Sequence, residues 1–153
     1  MAGRGAGAEA RAGRGARAII CDAMPTVNEA AALGFARAIN SNDRDAALAV
    51  CHPEIEFQSM LDIGGRSYLG HDGIREYYED IEFAWAEWRV DVERAEEGAD
   101  GRVVIVMTMH ARGKGSGAEV KDRTAHVWTC RDGRLVSNEL YREPEQALLA
   151  LGL

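Results

Sequence analysis

Apolar positions along the chain switch between a helical and a strand period, and the switches predict an ordered series of elements. Thr26-Val27-Asn28-Glu29 is a capping box, in which the threonine hydroxyl takes a backbone N–H and the glutamate reaches back. Val27, Ala31, Gly34, Phe35 and Ala38 then fall at helical spacing, which predicts a helix over 26–40 with one buried face. Asn42 or Asp43 caps a second, short helix that ends near Cys51 and is stopped by Pro53. Residues Glu54 to Ser59 alternate strictly, so Ile55, Phe57 and Ser59 share one face of a strand. A Gly64-Gly65 turn follows, then Gly70 and a third helix. Ile74, Tyr77, Tyr78, Ile81, Trp85 and Trp88 lie three or four apart and give that helix an aromatic stripe, explained first by core packing.

From Arg89 onward the period becomes that of strands, with segments near 89–96, 102–112, 119–130 and 134–142. Asp100-Gly101, the run Gly113 to Gly117, and Asp132-Gly133 separate them as hairpin turns. Glu143-Pro144-Glu145 opens a short helix that ends at Gly152. Helices first and a meander afterwards indicate an α+β fold.

Composition narrows the class. The chain of 153 residues is 46% hydrophobic and 28% charged, which suits one globular domain with a core. A formal net charge of −7 repels phosphate backbones, so no nucleic-acid partner is expected. No apolar run reaches the ~20 residues of a membrane span, so no membrane partner is expected either. Cys21, Cys51 and Cys130 are too few and scattered for a disulfide framework, which implies a reducing, cytoplasmic setting. Four histidines without paired spacing give no metal site, and no cofactor motif is present. Residues 1–23, rich in Gly, Ala and Arg, read as a disordered tail or as the product of a start-site choice upstream of Met24. The domain is therefore expected over 24–153.

Three stretches carry a family resemblance. They are Tyr68-Leu69-Gly70-His71-Asp72-Gly73-Ile74-Arg75-Glu76-Tyr77-Tyr78, the run from His126 to Val136 through Asp132-Gly133, and Ala147-Leu148-Leu149-Ala150-Leu151-Gly152. Over residues 26–152 the chain resembles the SnoaL-like branch of the nuclear transport factor 2-like superfamily. The resemblance implies a cone-shaped fold, a curved antiparallel sheet wrapped around N-terminal helices with an internal pocket. It places Phe35, Phe57, Ser59, Tyr78, Met107, Met109, His126, Trp128, Asn138 and Leu140 around that pocket. Val104, Val106, Ala125 and Val127 then face outward, and a homodimer through this outer sheet face is expected.

The scaffold's known chemistries each demand groups that are absent. Ketosteroid isomerases need a carboxylate base and acidic donors, yet the matching positions hold Ser59, Phe35 and His126, with only Tyr78 unchanged. Epoxide hydrolases of the limonene type need two carboxylates bridged by arginine, where this chain has Met107, Met109 and Leu140. SnoaL-type polyketide cyclases resemble it at His126, but their acid/base aspartate falls on Leu140. Among other polar residues, capping explains His71 and Asp72, a helix dipole suits His52, and His110 is expected to point outward.

Three functions are thus expected in order. The first is binding of a small, mainly apolar molecule. The second is an isomerase, cyclase or dehydratase using His126 with Tyr78. The third is a non-enzymatic interaction module, favoured by an interior with no cavity above ~300 Å3.

Overall fold

The computed structural model describes residues 24–60 and 66–153. The expected tail at 1–23 and the Gly64-Gly65 turn lie outside the described residues. Helix α1, Val27–Ser41, starts at the expected box: Thr26 Oγ1 accepts from the Glu29 N–H and Glu29 Oε1 accepts from the Thr26 N–H, both at 3.0 Å. Its buried face is Ala31, Ala32, Phe35, Ala36 and Ala38, four alanines that let the helix lie close to its neighbours around one aromatic ring. Val27, expected on that face, is 71% exposed: in this first turn the contacts to the sheet are made by Asn28 and Glu29 instead, at Gly101 and Glu97. Helix α2, Arg44–Val50, is capped by Asp43, whose side chain accepts from the Ala46 N–H.

Strand β1 begins directly at Cys51 and runs to Gln58, so Pro53 lies inside a strand rather than after a helix. Pairing of β1 with its neighbour skips from Cys51 to Glu56, and a proline with no N–H to donate is tolerated in that gap. Strand β2, Ser67–Leu69, leads into helix α3, Gly70–Ala84. Three long strands follow: β3 at Trp85–Glu97, β4 at Val103–Gly113 and β5 at Glu119–Arg131. Strand β6, Arg134–Tyr141, and helix α4, Pro144–Ala150, complete the order. Asp132 and Gly133, at φ 55° and 74°, make the tight turn between β5 and β6.

The sheet order is β2-β1-β6-β5-β4-β3. All neighbours are antiparallel except β1 and β6, so the sheet is mixed rather than purely antiparallel. Bulges in β3 and in the β5–β6 pair bend the sheet around α1.

Two expectations are corrected here. Trp85 and Trp88 belong to β3, not to the α3 stripe. Val104, Val106, Ala125 and Val127 do face the outer side, but the chain covers them itself. Together with Ala147 and Leu151 they form a second core under α4, and none of the four is more than 2% exposed. Further along the outer face the side chains are charged and paired: Arg123 with Glu93 at 2.8 Å, Arg89 with Asp91 at 3.1 Å, and His110 with Asp91 at 3.1 Å.

Candidate functional site

Inward-facing residues of β1, β4 and β5, roofed by α1 and α3, enclose a cavity. Alternation sets the strand contributions: Phe57 from β1, Ile105 and Met107 from β4, His126 and Trp128 from β5. Helix α1 adds Ala32, Phe35, Ala36 and Ile39, helix α3 adds Tyr77, and Ser59 and Met60 close the end of β1. Unfilled space amounts to about 410 Å3 with the open mouth included, whereas the part a water-sized sphere can enter is about 30 Å3. The latter holds about two waters, so side chains nearly fill the interior.

Aromatic rings build most of the wall. Phe57 and Trp128 stack with centroids 5.7 Å apart and planes 3° from parallel, and the His126 ring lies 17° from Phe57 and 21° from Trp128. Phe35 meets both Phe57 and Trp128 edge-on, at 5.3 and 5.4 Å. The two methionines, Met60 and Met107, are the unbranched, adaptable part of the lining.

His126 is the polar centre. Its Nδ1 lies 2.6 Å from Asn138 Nδ2, while among the described residues nothing bonds Nε2. Burial alone pushes the imidazole down from its usual 6.5 to about 4, so the ring is neutral near pH 7. Asn138, directly across from Trp128, is tied in turn to the Gln58 backbone, accepting from its N–H at 2.8 Å and donating to its carbonyl at 3.0 Å.

Of the ten residues expected at the pocket, Phe35, Phe57, Ser59, Met107, His126 and Trp128 line the cavity. Asn138 stands behind His126 instead of in the lining. Met109 packs in the core one inward position beyond Met107, and Leu140, opposite His126, is half-buried outside the cavity. Tyr78 is turned away: its hydroxyl donates to the Asp43 carbonyl at 3.4 Å, and the guanidinium of Arg44 lies over its ring. Tyr77 takes the cavity position, its hydroxyl pushed up by burial against the opposing hydrogen bond with Ser59. His126 and Tyr78 therefore do not converge.

The remaining polar groups have structural partners. His71 Nε2 is 2.9 Å from the Cys51 carbonyl, and His52 Nδ1 accepts from the Glu54 N–H at 3.0 Å, in place of the capping and dipole contacts expected. Burial raises the Cys51 thiol to about 12 and the Cys130 thiol to about 11, so neither is a thiolate nucleophile at neutral pH. Among the described residues no group of three or more His, Cys, Asp and Glu side chains converges as a metal site, and no helix is long and apolar enough to cross a membrane.

Comparison with known proteins agrees with this architecture. The family model described as SnoaL-like domain matches residues 32–138. Among solved structures, TerC co-crystallised with polyporic acid is 26% identical, with a TM-score of 0.66 over 82% of this chain and 98% of that one. A nuclear transport factor 2-like protein of unknown function from Burkholderia pseudomallei is 20% identical, with a TM-score of 0.67 over 84% of this chain and 100% of that one. The Δ5-3-ketosteroid isomerase of a Mycobacterium species is 17% identical, with a TM-score of 0.64 over 76% and 93%. No curated protein matches the chain.

Proposed function

The chain belongs to the SnoaL-like domain family, and from that premise we propose that it binds a small, mainly apolar molecule in the cavity beneath α1. The observation that carries this reading is His126 Nε2, without a partner among the described residues, at an interior lined mostly by apolar side chains together with Ser59 and Tyr77. An acceptor entering the cavity pairs with that nitrogen, a net contribution of about 1 kcal/mol. TerC, similar in fold, was crystallised with polyporic acid, which supports a ligand of that general kind here. The present cavity is nearly filled by its own side chains, so entry requires some of them to move, and the unbranched Met60 and Met107 are the most adaptable of the lining.

That small volume also favours a second reading, a filled core in a non-enzymatic interaction module. The methyl signals of Met60 and Met107 separate the two. Titration with benzene- to naphthalene-sized probes is expected to give saturable shifts in both methyls, weakened by Phe57→Leu. Unmoved methyls at probe saturation retire the binding reading and leave the filled core.

Proton transfer by His126 with Tyr78 is disfavoured by their separate surroundings. A cytoplasmic setting is supported by the free thiols of Cys51 and Cys130. A homodimer through the outer sheet face loses its apolar support, since α4 occupies that part and Arg123 and Asp91 beyond it are paired within the chain. Sedimentation velocity that finds only monomers at tens of micromolar protein removes it.

A further inference from the structure

We propose that Asn138 is a positioning residue that locks His126 as a hydrogen-bond donor at Nε2, so that the cavity selects neutral molecules carrying a carbonyl-type acceptor. The ligand class rests on the binding reading above; the lock on His126 does not.

The Asn138 amide has no freedom to turn over. Its Oδ1 accepts from the Gln58 N–H at 2.8 Å, a bond only the oxygen can make. Its Nδ2 is thereby placed toward the Gln58 carbonyl at 3.0 Å and His126 Nδ1 at 2.6 Å, with one hydrogen for each. An Nδ1 facing that N–H must present a lone pair, and in a neutral imidazole the proton then resides on Nε2. Turning the amide to accept from an Nδ1–H sets Nδ2 against the Gln58 N–H and Oδ1 against the Gln58 carbonyl, losing three bonds to gain one. The backbone of β1, through Asn138, thus dictates which nitrogen of a β5 residue carries the proton.

The consequence is directional. A neutral Nε2–H donates and cannot accept, so it rewards a carbonyl or ether oxygen and opposes an ammonium. A carboxylate meets a donor too, but it enters a mainly apolar site with no cation among the described lining residues to balance its charge.

The test has two independent arms, both on full-length protein. Long-range proton–nitrogen correlation spectra of 15N-labelled wild type at pH 7 are expected to show His126 Nδ1 unprotonated and Nε2 protonated. In Asn138→Asp, whose carboxylate accepts but does not donate, the proton is expected to move to Nδ1 or the ring to become imidazolium. An Nδ1–H tautomer or an imidazolium in the wild type overturns the lock, whether or not the variant folds. In the second arm, 1-indanone, indane and 1-aminoindane are titrated against wild type and His126→Phe. Indanone is expected to bind roughly three- to tenfold more tightly than indane, with aminoindane weakest, and His126→Phe to erase the advantage of indanone over indane. Equal affinities with the Nε2–H tautomer present overturn the ligand class while leaving cavity binding intact. Binding by none of the three, with that tautomer present, retires the binding reading and the ligand class together.

Discussion

Replacing His126 by glutamine is expected to change how stability depends on pH, more than how large it is at any one pH. The ring is 4% exposed, and burial lowers its folded-state value to about 4 from the 6.5 of an exposed imidazole. The unfolded chain therefore takes up the proton first as pH falls. Stability associated with the neutral buried ring is complete above about pH 6.5 and is lost progressively down to about pH 4, where the folded protein protonates as well. Proton linkage over that gap puts the loss at about 2 kcal/mol by pH 5 and about 3 kcal/mol at its limit. His52, His71 and His110 are present in both proteins, so subtracting the variant cancels their contributions. The assay is urea unfolding at pH 7.5, 6.5, 5.5 and 5.0, read as the difference in free energy between wild type and His126→Gln. That difference is expected to shift by about 2 kcal/mol in disfavour of wild type across the range. A difference constant to within about 0.5 kcal/mol refutes the buried neutral imidazole.

Three further outcomes follow from packing. Gly73→Ala puts a Cβ 2.6 Å from the Tyr68 carbonyl carbon, backbone that cannot swing aside, and a loss of about 3 kcal/mol in chemical denaturation is expected. Asn40→Ala removes both bonds by which α1 holds the Val90 N–H and carbonyl, each 2.8 Å, and is expected to cost about 2 kcal/mol with faster amide exchange at Val90. Ala147→Asp buries a carboxylate against Val104 and Val127. A loss of at least about 3 kcal/mol, with exchange protection falling along outer β4 and β5, is the expected result, and an unchanged melting temperature contradicts the second core.

The order of elements was legible because each period is written locally. Strict alternation at 54–59 put Phe57 and Ser59 inward, and the capping box at Thr26 marked the first helix to the residue. Trp85 and Trp88 look helical in the sequence for a definite reason. A bulge between Trp85 and Glu87 adds one residue to β3, so two side chains three apart share the inner face and mimic a helical stripe. No glycine or proline separates α3 from β3 to mark the boundary. The choice between Tyr77 and Tyr78 was not written locally either. The two lie about 100° apart on one helix, and the crossing of α3 over the sheet decides which enters the cavity. The place of Asn138 depends on β1 and β6 meeting across the sheet, which no local pattern states. The cover over Val104 and Val127 was foreseeable in part, since the short terminal helix was expected but its docking face was not.

The parallel pairing of β1 with β6 also bears on how the chain reaches its fold. The meander from β3 to β6 is built from neighbouring hairpins, whereas Gln58 and Asn138 meet across 80 residues. Closing a loop that long costs entropy before any contact is gained, so the hairpins have time to form first. The wall holding His126 is then complete only when β1 docks onto a finished meander. During synthesis α1, α2 and β1 emerge early, with Phe35 and Phe57, and must wait for β6 before the wall is complete.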